Sequence, residues 1–332
     1  MNSSTEYNQY EKIYKDEIKK IESGLSKLLR DKKPESLYTP CSYILNGGGK
    51  RLRPFLVLIS AKAVGGKFNQ TYNAAMAMEI LHNFTLVHDD IMDNSNMRRG
   101  RVTLHKKYDT NTAILAGDSL IALAYEYLLK DCKDNTKQIV SNFTKAVTEV
   151  CEGQSLDKEF ELSRNVSIDD YKNMIYKKTA ALMESCCAVG ARIAGATNKQ
   201  INAVARYGKY LGMAFQIQDD LLDLVADESE FGKTVGSDLI EGKKTYLLLR
   251  AMEKAKGVKR KSLQRVFENK GVKKEEIGFY KNLYIELGVT KDAEHEIIKY
   301  TKLALKNLPV LPNEEGRQLM NWLANILINR NK

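Results

Sequence analysis

The chain has 332 residues, 43% of them hydrophobic and 28% charged, with a formal net charge of +10. That is ample for a large core, and length alone allows one big domain or two smaller ones. The polar N-terminal stretch is not a secretory signal, no uncharged apolar run reaches membrane-spanning length, and the C-terminus carries no prenylation box. The five cysteines, Cys41, Cys132, Cys151, Cys186 and Cys187, show no metal-finger or redox spacing. They read as reduced thiols of a cytoplasmic protein. The excess of lysine and arginine fits a solvated surface or an anionic partner, and net charge alone does not choose among nucleic acid, a membrane surface and a phosphorylated metabolite.

The prolines are Pro34, Pro40, Pro54, Pro309 and Pro312, so none interrupts the span from Phe55 to Leu308. That span is rich in helix-favouring residues and poor in strand-like alternation. One all-α domain over residues 1–332 is the economical expectation. The first notable element is Gly47-Gly48-Gly49-Lys50-Arg51-Leu52-Arg53-Pro54. Its glycines let backbone approach a ligand closely, and Lys50 and Arg53 can reach an anion. The glycine spacing is not that of a Walker-type loop, and a helix-capping turn with basic flanks is the plainer alternative.

A helix is predicted over roughly Thr71–Asp93, apolar on nearly all sides as a central bundle helix would be. It ends in Asp89-Asp90-Ile91-Met92-Asp93. Residues four apart share a helix face, so Asp89 and Asp93 point together. Carboxylates at the negative end of a helix need compensating cations, basic or metallic. The basic run Met97-Arg98-Arg99-Gly100-Arg101 follows within a few residues. A second apolar helix, roughly Lys199–Ala226, repeats the motif as Asp219-Asp220-Leu221-Leu222-Asp223. A single DDxxD is commonly a solvated acidic turn. Two copies, each ending an apolar helix and each with basic motifs nearby, point to Mg²⁺ and a diphosphate. Beyond about Lys256 the chain offers no motif, and KGVKRKSLQRVFENKGVKKEE reads as exposed helices.

Taken together, GGGKRLRP, DDIMD, RRG, the Lys178-Thr179-Ala180 triplet and FQIQDDLLD followed by GKTVGSDLIEGKKT resemble the trans-prenyl diphosphate synthase family, over about Gly47 to Lys244. The resemblance implies a bundle of long antiparallel helices around a deep cavity, the isoprenoid synthase fold. It implies head-to-tail condensation of isopentenyl diphosphate with an allylic diphosphate (dimethylallyl, geranyl or farnesyl) in a homodimer. By the same resemblance Asp89, Asp93 and Asp219 bind Mg²⁺, three ions with substrate present, and Asp90, Asp220 and Asp223 support them. Arg98, Lys178, Lys233 and Lys243 contact the allylic diphosphate. Lys50, Arg53, His82 and Arg99 hold isopentenyl diphosphate. Thr179 and Gln216 face the reacting carbons, and Gln154 and Asp157 match a block near the site. His82 lies about two turns before Asp89 on the same face, although a lone buried histidine is more often a core residue. The sequence departs from the family in having Val102 where proline is frequent, and Leu182 where some members have tyrosine.

Product length follows from the residues before the first cluster. Thr85 and Leu81 lie about one and two turns below Asp89. Family logic makes a bulky residue five before the motif, here Phe84, a floor; the small Thr85 leaves room above it. Geranylgeranyl diphosphate is the expected product, with farnesyl diphosphate next, although Phe84 is equally placed to be a core or subunit-contact residue. A class I terpene cyclase would not need GGGKRLRP or a second DDxxD. A non-catalytic subunit of a heteromeric synthase would not need intact aspartates. A helical nucleic-acid binder would place its basic residues away from acidic clusters.

Overall fold

The structure, a computed structural model, describes residues 3–163, 165–225 and 236–328. Its helices are α1 (Ser3–Leu28), α2 (Glu35–Leu45), α3 (Leu52–Ala63), α4 (Tyr72–Met92), α5 (Leu104–Lys107), α6 (Thr110–Asp131), α7 (Thr136–Leu162) and α8 (Ile168–Ile175). After a π-helical turn at Tyr176–Ala180 come α9 (Ala181–Ile193), α10 (Asn198–Val225), α11 (Ser237–Ile240), α12 (Tyr246–Lys254), α13 (Gly257–Glu268), α14 (Ile277–Glu286), α15 (Val289–Leu305) and α16 (Glu314–Ile328). The expected all-α class is what these residues form. The two apolar segments that carry the aspartates emerge as α4 and α10, within a residue of the limits read from the sequence.

The chain divides into two compact units. The first comprises Met1–Val147, Leu182–Gly208 and Asn307–Trp322. Its central element is α4, which packs on α1, α2, α3 and, along most of its length, α6. A helix whose alanines and leucines, with Met76 and Met78, are buried on every side can only be stable at such a centre. Thr71, at its N-cap, gives no side-chain capping bond. The carboxylate of Asp131, at the end of α6, takes over: it accepts from Ala74 N and Asn73 Nδ2, each at 2.8 Å. An anion there satisfies orphan amides and complements the positive helix end. Among the described residues α6 is the one helix long and apolar enough to cross a membrane, yet it carries Asp118 and Glu126 and packs on α2 and α4.

The second unit comprises Thr148–Ala181, Lys209–Lys306 and Leu323–Lys332. Tyr171, Ile217, Leu248, Leu263, Tyr284 and Val289 are buried at its core. Here α13 exposes most of its charged residues and buries only Leu263 and Val266, as expected for this motif-poor region.

The candidate active site

The first unit holds the glycine-rich loop, the first aspartate cluster and the basic run. The basic run forms a β-hairpin rather than a loop: β1 (Met97–Arg98) pairs with β2 (Arg101–Val102) in antiparallel register. Arg99 and Gly100, at φ 52° and 72°, make its two-residue turn. Two consecutive left-handed residues match the turn to the strand twist, and glycine takes the second position without penalty. Strands of two residues show no alternation by which so short a hairpin could be read. The hairpin sends neighbouring arginines to different partners. Arg98 Nε donates to Asp90 Oδ1 at 2.7 Å, and Arg99 donates to the carbonyl of Gly48 in the glycine loop.

Arg51, at φ 47°, starts α3 from a left-handed conformation, and its side chain is only 2% exposed. Its guanidinium donates to Glu79 Oε1 at 2.6 Å and to the carbonyl of Leu45, the last residue of α2, at 2.8 Å. Asn83 Nδ2 donates to the Glu79 backbone carbonyl at 2.7 Å. Tyr14 donates to the carbonyl of Lys50. Arg53 Nη1 lies 3.1 Å from His82 Nε2. An arginine only donates, so this His82 nitrogen accepts and the ring proton sits on Nδ1. Burial, then the charges of Arg53, Arg99, Arg98 and Arg51, hold His82 well below the usual histidine range. Lys50, Arg53, His82 and Arg99 thus come from one loop, two helices and one hairpin of a single unit.

On α4, Asp89 and Asp90 occupy the last turn and Asp93 is the C-cap. Asp90 is buried, and burial pushes its carboxyl up although Arg98 opposes this. Its Oδ2 is buried without a hydrogen-bond partner among the described residues. Phe84 is 7% exposed and its ring lies 4.7 Å from that of His88, while Leu81 is buried and Thr85 partly so. Thr85 donates its hydroxyl to the His82 carbonyl at 2.8 Å.

The second unit holds the other cluster. Lys178 and Thr179 lie in the π-helical turn, a form that often marks functional positions. Gly153 on α7 abuts this turn so closely that a Cβ there would overlap the Lys178 backbone. Lys178 Nζ meets Asp157 at 2.6 Å. Thr179 donates to Gln216 Oε1 at 2.8 Å, and Gln216 Nε2 donates to Asp220 Oδ1 at 3.1 Å. Asp220 Oδ2 accepts from the Tyr171 hydroxyl at 2.6 Å and from Tyr246 N at 3.2 Å. Burial, then the nearby Asp238 carboxylate, pushes Asp220 up. Asp223 accepts from Ser237 Oγ at 2.6 Å and from Asp238 N at 3.0 Å. Asp220 and Asp223 are therefore held by protein donors, which suits a supporting role; Asp219 is partly exposed on the same helix. Lys243 pairs with Glu241 at 2.7 Å and Asp238 at 3.5 Å. Burial would lower its affinity for protons, but these carboxylates more than reverse that. The buried amide of Gln154 has no hydrogen-bond partner among the described residues. Lys233 lies outside the described residues.

The donor chemistry fits Mg²⁺. The first cluster offers carboxylate oxygens at a negative helix end, including the unpartnered Asp90 oxygen. Among the described residues no three His, Cys, Asp or Glu side chains close around a common point. Mg²⁺ needs no such cage: it typically takes one or two carboxylates and fills its shell with water and phosphate oxygens.

Sequence reasoning missed Glu79, Arg51, Asn83 and Tyr171. Glu79 had a signal, being one charged residue within the apolar run AAMAMEILHNF. Tyr171 had none, because its partner Asp220 is 49 residues away in the chain.

A family profile described as polyprenyl synthetase matches residues 34–284. The chain is 38% identical to a geranylgeranyl pyrophosphate synthase of Geoglobus acetivorans, over 96% of this chain and 98% of that one. It is 43% identical to a short chain isoprenyl diphosphate synthase of Methanocaldococcus jannaschii, over 74% and 75% of the two chains. The crystal structure of a geranylgeranyl pyrophosphate synthetase from Pyrococcus horikoshii superposes with a TM-score of 0.91 at 37% identity, covering 98% of this chain and 99% of that one. With both aspartate clusters and the basic motifs in place, the chain belongs to the polyprenyl synthetase family, the trans-prenyl diphosphate synthases, and is a prenyl-transferring enzyme.

Proposed function

We propose that the enzyme condenses isopentenyl diphosphate head-to-tail with allylic diphosphates and makes chiefly geranylgeranyl diphosphate, with farnesyl diphosphate as the nearest alternative. The observation that carries this reading is the group Lys50, Arg53, His82 and Arg99. It offers a second anion a place of its own, beside the acidic cluster but built from different side chains. A terpene cyclase, with one substrate, has no use for it.

Asp89, Asp93 and Asp219 would hold Mg²⁺, three ions with substrate bound, while Asp90, Asp220 and Asp223 keep those side chains in place. Bound Mg²⁺ supplies charge neutralisation for the departing diphosphate. Arg98, Lys178, Lys233 and Lys243 add basic contacts to that group. The allylic C1–O bond breaks, the isopentenyl double bond attacks C1, and a proton leaves C2 of the isopentenyl unit for the released diphosphate. Thr179 and Gln216, tied to each other and to Asp220, present oxygens toward the developing cation. The loop of Lys50 and Arg53 orients isopentenyl diphosphate, so much of the rate arises from placing two substrates.

A floor at Phe84 is supported by its burial against His88. The homodimer reading is supported by Ile114, Leu115 and Leu129, which leave apolar surface exposed on α6. We read α6 as a core and contact helix rather than a membrane span, and the chain as cytoplasmic, acting on small diphosphates and not on nucleic acid. The test is to supply geranyl or farnesyl diphosphate with and without isopentenyl diphosphate in Mg²⁺ buffer. A prenyl diphosphate longer than the primer, forming only with both substrates, is the expected result. Hydrocarbon formed from the allylic substrate alone would establish cyclase chemistry instead.

A further inference from the structure

We propose that Glu79 and Arg51 are a positioning pair for isopentenyl diphosphate, shaping the junction of the glycine loop and α3 that carries Lys50 and Arg53 without touching the substrate; this rests on assigning that junction to isopentenyl diphosphate. The Arg51 side chain is buried in the protein. Its guanidinium joins two separate elements: the α2 terminus through the Leu45 carbonyl at 2.8 Å, and α4 through Glu79 at 2.6 Å. Both side chains of the pair are 2% exposed, so neither is available to a substrate. Asn83, one turn on, holds the Glu79 carbonyl at 2.7 Å.

Glu79 is the carboxylate buried beneath a crowd of cations. Burial, and then the charges of Arg53, Arg99, Arg98 and Arg51, keep His82, three residues away on α4, neutral. Without an anion beneath, that crowd would repel itself whenever substrate departs. Glu79 offsets one charge and, together with the Leu45 carbonyl, holds the two Nη atoms of Arg51 in a fork that a lysine cannot reproduce. The fork holds the left-handed backbone at residue 51, at φ 47°, and so sets the directions in which Lys50 leaves the loop and Arg53 leaves the first turn of α3. Tyr14 holds the Lys50 carbonyl from α1, and Arg99 holds that of Gly48. The loop is thereby fixed before substrate arrives.

Steady-state kinetics and calorimetric titration with isopentenyl diphosphate test this on full-length Glu79→Gln, Arg51→Lys and Tyr14→Phe, with Arg53→Ala as the reference. Thermal melts report folding. The expected result is a KM for isopentenyl diphosphate raised about tenfold in Arg51→Lys and Glu79→Gln. Calorimetric affinity falls in parallel, and the KM for farnesyl diphosphate stays within about twofold. Tyr14→Phe, which removes one hydroxyl, moves the same constant in the same direction by a smaller factor and tests the pre-fixed loop if the buried variants fail to fold. Unchanged isopentenyl KM in the folded variants, or both KM values rising together, would overturn the positioning role. If Arg53→Ala raises only the allylic KM, the substrate assignment of the loop is what fails.

Discussion

Asp89 and Asp219 occupy equivalent places in the two motifs, and each stands beside an aspartate already held by protein donors, Asp90 by Arg98 and Asp220 by Tyr171. The division of labour predicts different costs. Asp89→Ala and Asp219→Ala should lower kcat by about a thousandfold with folding intact, since each removes stabilisation of the leaving diphosphate. Near-normal turnover of either variant in Mg²⁺ would refute the ligand assignment. Tyr171→Phe should cost less turnover but more stability, because it leaves a buried carboxylate short of a donor, about 1–3 kcal/mol on denaturant melts. His82 gives a pH signature. Its native affinity for protons is far below that of the unfolded chain. As pH falls below about 6.5 the unfolded state takes up a proton that the native state refuses, so stability declines by at most about 1.4 kcal/mol per pH unit. Above that pH the effect vanishes. His82→Gln should flatten the slope of Tm against pH between 7 and 5.5; an unchanged slope would place the acid sensitivity elsewhere. At this scale the sequence disclosed the residues that carry unusual chemistry and concealed those that hold them. Paired aspartates and a glycine-lysine-arginine run are conspicuous, whereas Tyr171 and Asn83 become supports only through contacts that folding creates.

The elements divide in the same way. The limits of α4 and α10 were legible because each is apolar on nearly all sides over most of its length, a pattern with few alternatives. The hairpin of Arg98 and Arg101 was not, since two-residue strands show no alternation. Nor was the π turn at Tyr176–Ala180, whose extra residue per turn leaves no compositional trace. That turn depends on Gly153, where α7 meets the Lys178 backbone. Gly153→Ala should force the two segments apart, moving Lys178 from Asp157 and Thr179 from Gln216. The expected loss is about tenfold or more in kcat, with affinity for isopentenyl diphosphate, held in the other unit, little changed. Wild-type kcat in this variant would show that the close packing is incidental.

For the whole molecule, α6 is apolar enough to demand cover, yet Leu115 is 61% exposed and Leu129 47%. A second copy of the chain is the proposed cover, and Leu115→Glu should shift sedimentation from dimer to monomer; a wild-type monomer at assay concentration would remove the proposal. The all-α fold was evident from the absence of proline between Phe55 and Leu308, but the division into two compact units was not, because α7 and α10 each run without a break in composition from one unit into the other. The measurement that bears most directly on the proposed reaction and its product is the size of what the purified enzyme makes from isopentenyl diphosphate and each allylic primer in Mg²⁺ buffer. A C20 prenyl diphosphate as main product, lengthened by Phe84→Ala, is expected. A main product of C30 or longer, or no condensation with any primer, would contradict it.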